Sequence, residues 1–178
     1  MVVDELIRFG IPGELLIVII SALPIVELRG GIPLGMELFQ LPWYQALCLA
    51  IIGNLLPVPF LLLFFQVLVK YIRRVRVGEK LLNPLIRHTE RHTAAIEKYE
   101  RIGLMAFVAI PLPWTGAWTG AMAASLLGIK FKSAFFSIMA GVIISGAIVT
   151  TLFQMGWIGA VIAGLGLSGL AILGFWKT

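Results

Sequence analysis

Cysteine is nearly absent from this chain. Cys48 is the only one in 178 residues, which excludes an intrachain disulfide and a thiolate metal cluster. Charge is scarce too: 13% of residues are charged, against about a quarter in an ordinary soluble domain. His88 and His92 stand at helical spacing and could form half of a metal site, yet nothing nearby supplies further ligands. Surface histidines are the simpler reading, and no metal or cofactor is expected. No nucleophile–base set and no phosphate loop occurs in the sequence, which argues against an enzyme. Asp4, Glu5 and Arg8 near the start do not make the basic lead of a cleavable signal, so none is expected.

What the chain has instead is long apolar runs. Hydrophobic residues make up 60% of it. Trp43 to Val69 carries no charge, and about 20 apolar residues suffice to span a bilayer core. Phe135 to Trp157 is a second run, and Ile158 to Trp176 a third, shorter and rich in glycine. The reading is an all-α integral membrane protein, one domain over residues 1–178. Nine Lys and Arg against four Glu lie between Lys70 and Arg101, and nine less four equals the +5 of the whole chain. This basic connector, 70–101, is expected on the cytoplasmic side of the membrane. Asn83-Pro84 reads as the start of an amphipathic surface helix, which either sets topology or docks on anionic lipid. Nucleic acid is not an expected partner.

One ionic pair interrupts the grease. Glu27 and Arg29 sit in ELLIVIISALPIVELRGGIPLGMELF, from Glu14 to Phe39, where each charge costs about 2.5–3.5 kcal/mol even on lenient insertion scales. Pro24, Gly30, Gly31 and Pro33 surround the pair, so the backbone there is expected to break rather than stay helical. Arg29 suits bidentate contact with a phosphate or carboxylate, and Glu27 suits proton exchange. The plainer alternative is a static ion pair that locks the segment.

The break recurs. Ala22-Leu23-Pro24 aligns with Ala109-Ile110-Pro111, and, one residue shifted, Ala46 aligns with Ala134 and Gly53 with Gly141. Matching interrupted segments in two halves point to a transporter site. Charge then orients the chain. If residues 102–128 crossed the membrane completely, Lys130 and Lys132 would lie outside, against the positive-inside rule. The expected architecture is therefore an inverted repeat of two re-entrant helical hairpins, 14–39 and 102–128, entering from opposite faces. Transmembrane helices follow at 43–69 and 132–157, with a C-terminal one at 158–176.

The second tip reads PLPWTGAWTGAM. Pro111 and Pro113 break it, Thr115 and Thr119 offer hydroxyls, and Gly116 and Gly120 allow close approach of a ligand or of another helix. Trp114 and Trp118 suit either a ligand wall or interfacial anchoring. Gly53, Asn54, Pro57 and Pro59 suggest a kink, with Asn54 a polar contact beside the cavity or a helix–helix hydrogen bond.

ALPIVELRGGIPLG and PLPWTGAWTGA resemble the small multi-drug export protein family, over about Ile17 to Phe153. That family is similar in turn to the DedA (VTT-domain) superfamily, whose members are implicated in moving phospholipids or polyprenyl phosphates, with proton coupling proposed. The resemblance implies that Glu27 and Arg29 line a substrate cavity in hairpin one, with Pro111, Thr115, Gly116 and Gly120 in hairpin two. The chain departs from the DedA pattern in lacking any charge between Leu104 and Ile129, where those proteins carry an arginine. Three functions stay open. One is transport of an anionic lipid headgroup, a polyprenyl phosphate or phospholipid, with Arg29 as anchor and a proton or sodium ion for coupling. Another is export of small lipophilic cations, with Glu27 as ligand and Trp114 and Trp118 as cation–π surface. The third is a non-transporting membrane scaffold. Glycines at 159, 164, 166 and 169 could serve a homodimer.

Overall fold

The computed structural model describes residues 11–72, 94–112 and 115–175. Most of the basic connector lies outside the described residues, with its Asn83-Pro84 helix start, His88 and His92; so do Pro113 and Trp114.

Eight helices make up the described residues: α1 Gly13–Ala22, α2 Glu27–Glu37, α3 Trp43–Leu55, α4 Val58–Ile72, α5 Ala94–Ala109, α6 Ala117–Leu126, α7 Phe131–Gln154 and α8 Trp157–Phe175. Proline sets several boundaries. Pro12 and Pro42 cap α1 and α3 at φ −58° and −57°, where a residue without an N–H leaves no donor unsatisfied. Pro57 and Pro59 lack the donors that would carry one helix from α3 into α4, and the chain turns at Leu56 and Pro57. The apolar run 43–69 is thus divided between two helices, with the interruption at Leu56 and Pro57. At the end of α6, Gly128 (φ 73°) lets Ile129 N–H reach Ala124 O at 2.9 Å, closing the helix with a Schellman motif.

Two expectations are corrected. Gly30, Gly31 and Pro33 do not break hairpin one; all three lie inside α2, and the turn is at residues 23–26, around Pro24. Helical hydrogen bonding survives because Gly31 serves packing: a Cβ there would strike the Ser21 hydroxyl. The boundary drawn at 101/102 also falls within a helix, since α5 runs unbroken from Ala94 to Ala109.

Glycine contacts fix the packing. Gly35 faces Ile17 and Ala46, and four residues earlier Gly31 faces Ser21 and Ala50. Climbing α1 from 17 to 21 therefore climbs α3 from 46 to 50 while descending α2, so α1 and α3 run parallel with α2 opposed. The same contacts recur in the second half. Gly53 lies against the Val18 carbonyl as Gly141 does against that of Met105. Gly31 meets Ser21 and Ala50 as Gly120 meets Val108 and Ile138. Each second-half partner stands 87 to 89 positions after its counterpart, close to the 87 that separate the two Ala-x-Pro breaks.

The halves are interlocked rather than stacked. α6 packs mainly on α4, and α7 touches α2, α3 and α4. Ile17, Leu28, Ile32, Leu62, Ile138 and Val142 form a core closed to solvent. Outside it, Phe60, Phe64 and Val67 on α4 and Val161 and Leu165 on α8 are exposed. A polar solvent would oppose such a surface and lipid would not. Trp43–Ile72, across its turn, and Phe131–Gln154 are long and apolar enough to cross a membrane.

Candidate functional site

The turn at residues 23–26 delivers Glu27 as the first residue of α2, in left-handed backbone (φ 49°). That conformation is uncommon outside glycine and tends to persist where surrounding structure holds it. What holds it is the other half. The Glu27 carboxylate, in a residue only 5% exposed, lies against the backbone N–H groups of Ala117 and Trp118 at the start of α6. The N-cap of α6, Gly116, makes no side-chain cap of its own, so an acid from another helix fills that place. Gly116 (φ 153°) permits this, because a Cβ would overlap both carboxylate oxygens of Glu27.

Arg29 reaches across in the same way. Its Nη1 donates to Leu112 O, and its Nη2 to Thr115 O and, at 3.2 Å, to Thr115 Oγ1. The Thr115 hydroxyl accepts from Leu112 N–H at 3.1 Å and donates to Ile110 O at 2.7 Å, tying Thr115 back to residues 110–112. Trp118 Nε1 donates to Ala22 O at 3.2 Å, joining the two breaks directly. Glu27 and Arg29 feel each other's charge, yet neither donates to or accepts from the other. Each is spent on the opposite tip.

A cleft of about 950 Å³ opens beside this clasp, between α2, the 110–112 turn, α7 and α8. Arg29, Pro33 and Glu37 form its α2 wall; Phe153, Trp157 and Ala163 stand among the residues opposite. The Arg29 Nε is buried and has no hydrogen-bond partner. The cleft thus pairs apolar walls with one guanidinium inside and one exposed carboxylate, Glu37. Among the described residues no set of three His, Cys, Asp or Glu is placed to hold a metal.

Of the residues singled out from sequence, the structure brings together Glu27, Arg29, Thr115, Gly116 and Trp118. Thr119 lies a turn behind, its hydroxyl donating to Gly116 O at 3.4 Å, and Gly120 faces Val108 and Ile138. Asn54 is buried on α3 with its Oδ1 unpartnered and is not on the cleft wall. Sequence reasoning passed over Glu37 and the α7–α8 wall. The signal for Glu37 was the four-residue spacing of Arg29, Pro33 and Glu37, which means one face only if the segment is helical.

Apolar outer faces, two bilayer-length helical stretches and buried charges clasped at the centre define an integral membrane protein. The chain belongs to the family described as "Putative small multi-drug export protein", whose profile matches residues 27–148. That span runs from Glu27 itself to Ile148 on the cleft wall. No curated protein and no solved structure is significantly similar to the chain.

Proposed function

We propose that the chain is a transporter that receives an amphiphile with an anionic headgroup in the α2–α7–α8 cleft and carries it across the membrane. The observation that carries this reading is the position of Arg29, a cation on the wall of a largely apolar cleft. Glu27 faces the start of α6 and is not on the cleft wall, so it is not placed to meet a cation there. A polyprenyl phosphate or phospholipid has the required chemistry: phosphate for the guanidinium, hydrocarbon for the walls.

The same reading gives the helical hairpins a place in the bilayer. α1 and α2, of 10 and 11 residues, are each about 15 Å long at 1.5 Å per residue, half of a core of about 30 Å. They enter from one face and return to it, while α5 and α6 do so from the other. Irregular backbone at 23–26, 110–112 and 115–116 then meets near the midplane, where the clasp satisfies its polar groups. The basic connector lies in the cytoplasm, and proton exchange at Glu27 releases α6 during the cycle.

A second reading, export of lipophilic cations, is favoured by the family's description and by Glu37 on the cleft wall. Binding in lipid nanodiscs separates the two. Undecaprenyl phosphate and a lipophilic dye cation are titrated separately into wild type, Arg29→Lys, Glu37→Gln and Thr115→Val, the last loosening the clasp while keeping the cation. Saturable lipid-phosphate binding that weakens in Arg29→Lys and survives Thr115→Val supports the anionic reading. Dye binding lost in Glu37→Gln, without lipid-phosphate binding in wild type, overturns it.

A further inference from the structure

A second, smaller cavity of about 410 Å³ lies between α5 and α7, away from the clasp. Its rim carries Arg101 and Lys132, its wall Ser133 and Ser137, and its apolar part Ile102, Met105 and Phe136. Lys132 and Ser133 belong to the first turn of α7, a 24-residue helix whose N-terminus has no side-chain cap. The free N–H groups of that turn favour an anion. Ser137, one helical turn beyond Ser133, lines the same cavity.

The apolar part distinguishes a lipid from a free ion. Phe136 is 59% exposed and Ile102 46%, both beside the basic rim. α7 is one of the bilayer-length helices, so its lysine-bearing end marks the membrane boundary. Cations at headgroup level, a hydroxyl beneath them and exposed hydrocarbon alongside match an anionic phospholipid in order of depth.

We propose that the α5–α7 cavity is a binding site for the headgroup of an anionic phospholipid, held by Arg101, Lys132, Ser133 and Ser137 with an acyl chain along Phe136 and Ile102. It does not depend on what the central cleft carries. The site binds a lipid as a resident of the membrane edge rather than as cargo.

Native mass spectrometry of the detergent-solubilised full chain tests this, with phosphatidylglycerol, phosphatidylcholine and inorganic phosphate as separate probes. The expected result is tighter binding of phosphatidylglycerol than of phosphatidylcholine, reduced about fivefold for each of Arg101→Gln and Lys132→Gln. Ser137→Ala, which leaves every charge in place, should weaken it severalfold. Melting temperatures in phosphatidylcholine nanodiscs should match wild type, separating a lost site from a lost fold. Equal affinity for the two lipids, or unchanged phosphatidylglycerol binding in Arg101→Gln/Lys132→Gln, overturns the proposal. So does inorganic phosphate that displaces the lipid at equal concentration, since it would make the site one for free phosphate.

Discussion

Gly116→Ala is the sharpest test of the clasp. At φ 153° and ψ −166°, Gly116 occupies backbone that is essentially reserved for glycine, and forcing alanine there costs about 1–3 kcal/mol. The new methyl would also lie 2.6 Å from the Glu27 Cδ and overlap its oxygens. The carboxylate must therefore leave the N-terminus of α6 and the Ala117 and Trp118 N–H groups beside it. A carboxylate at a helix N-terminus contributes about 0.3–2 kcal/mol, so the total is about 1–5 kcal/mol. That is a large part of an ordinary stability of about 5–15 kcal/mol. Reversible unfolding in mixed micelles, followed by circular dichroism, measures the loss. The decisive comparison is with the double variant that also carries Glu27→Ala. Removing the carboxylate removes the overlap, so the two losses should fall short of additivity by at least about 1.5 kcal/mol. Strict additivity, or a Gly116→Ala protein within about 0.5 kcal/mol of wild type, would refute the reasoning.

Other outcomes follow from the same contacts. Gly53→Ala drives a methyl into the Val18 carbonyl and Gly141→Ala into that of Met105, so each should destabilise by about 1–3 kcal/mol in the same assay. Gly103→Ala, on α5 with nothing within 4 Å of its new methyl, should be neutral or stabilising by up to about 1 kcal/mol. Thr115→Val removes one of two acceptors of Leu112 N–H, which keeps Ile110 O at 2.8 Å, and should cost about 0.5–1.5 kcal/mol by equilibrium unfolding. Trp118→Phe keeps the ring but loses the bond to Ala22 O, about 0.5–1.5 kcal/mol, read as a lowered melting temperature.

How much of this was legible in the sequence depended on the kind of signal. Apolar runs announce helices by length alone, and proline at 12, 42 and 57 marks boundaries because a missing N–H acts locally. The segment from Glu27 to Glu37 misled for the opposite reason. Gly30, Gly31 and Pro33 look like breakers by propensity, but burial of α2 against Ser21 and Ala50 outweighs about 1 kcal/mol per glycine. The importance of Glu27 and Arg29 was readable because charge is expensive at that depth. Their partners were not, since Ala117 and Trp118 N–H and the Leu112 and Thr115 carbonyls are main-chain atoms that leave no mark in composition. The α7–α8 wall was hidden too, because an apolar residue beside a cleft looks like one beside lipid.

The clasp is lopsided in what it demands of heredity. Glu27 and Arg29 grip the second half largely through its peptide groups, so the first half must keep two particular side chains while the second must chiefly keep a shape. At Leu112 or Ala117 many side chains would present the same carbonyl or N–H, whereas one inserted or deleted residue between 110 and 117 would move every grip point at once. Such a lock tolerates spelling changes in one half and forbids changes of length. The second half could change many of its letters and still fit, provided it did not lose count.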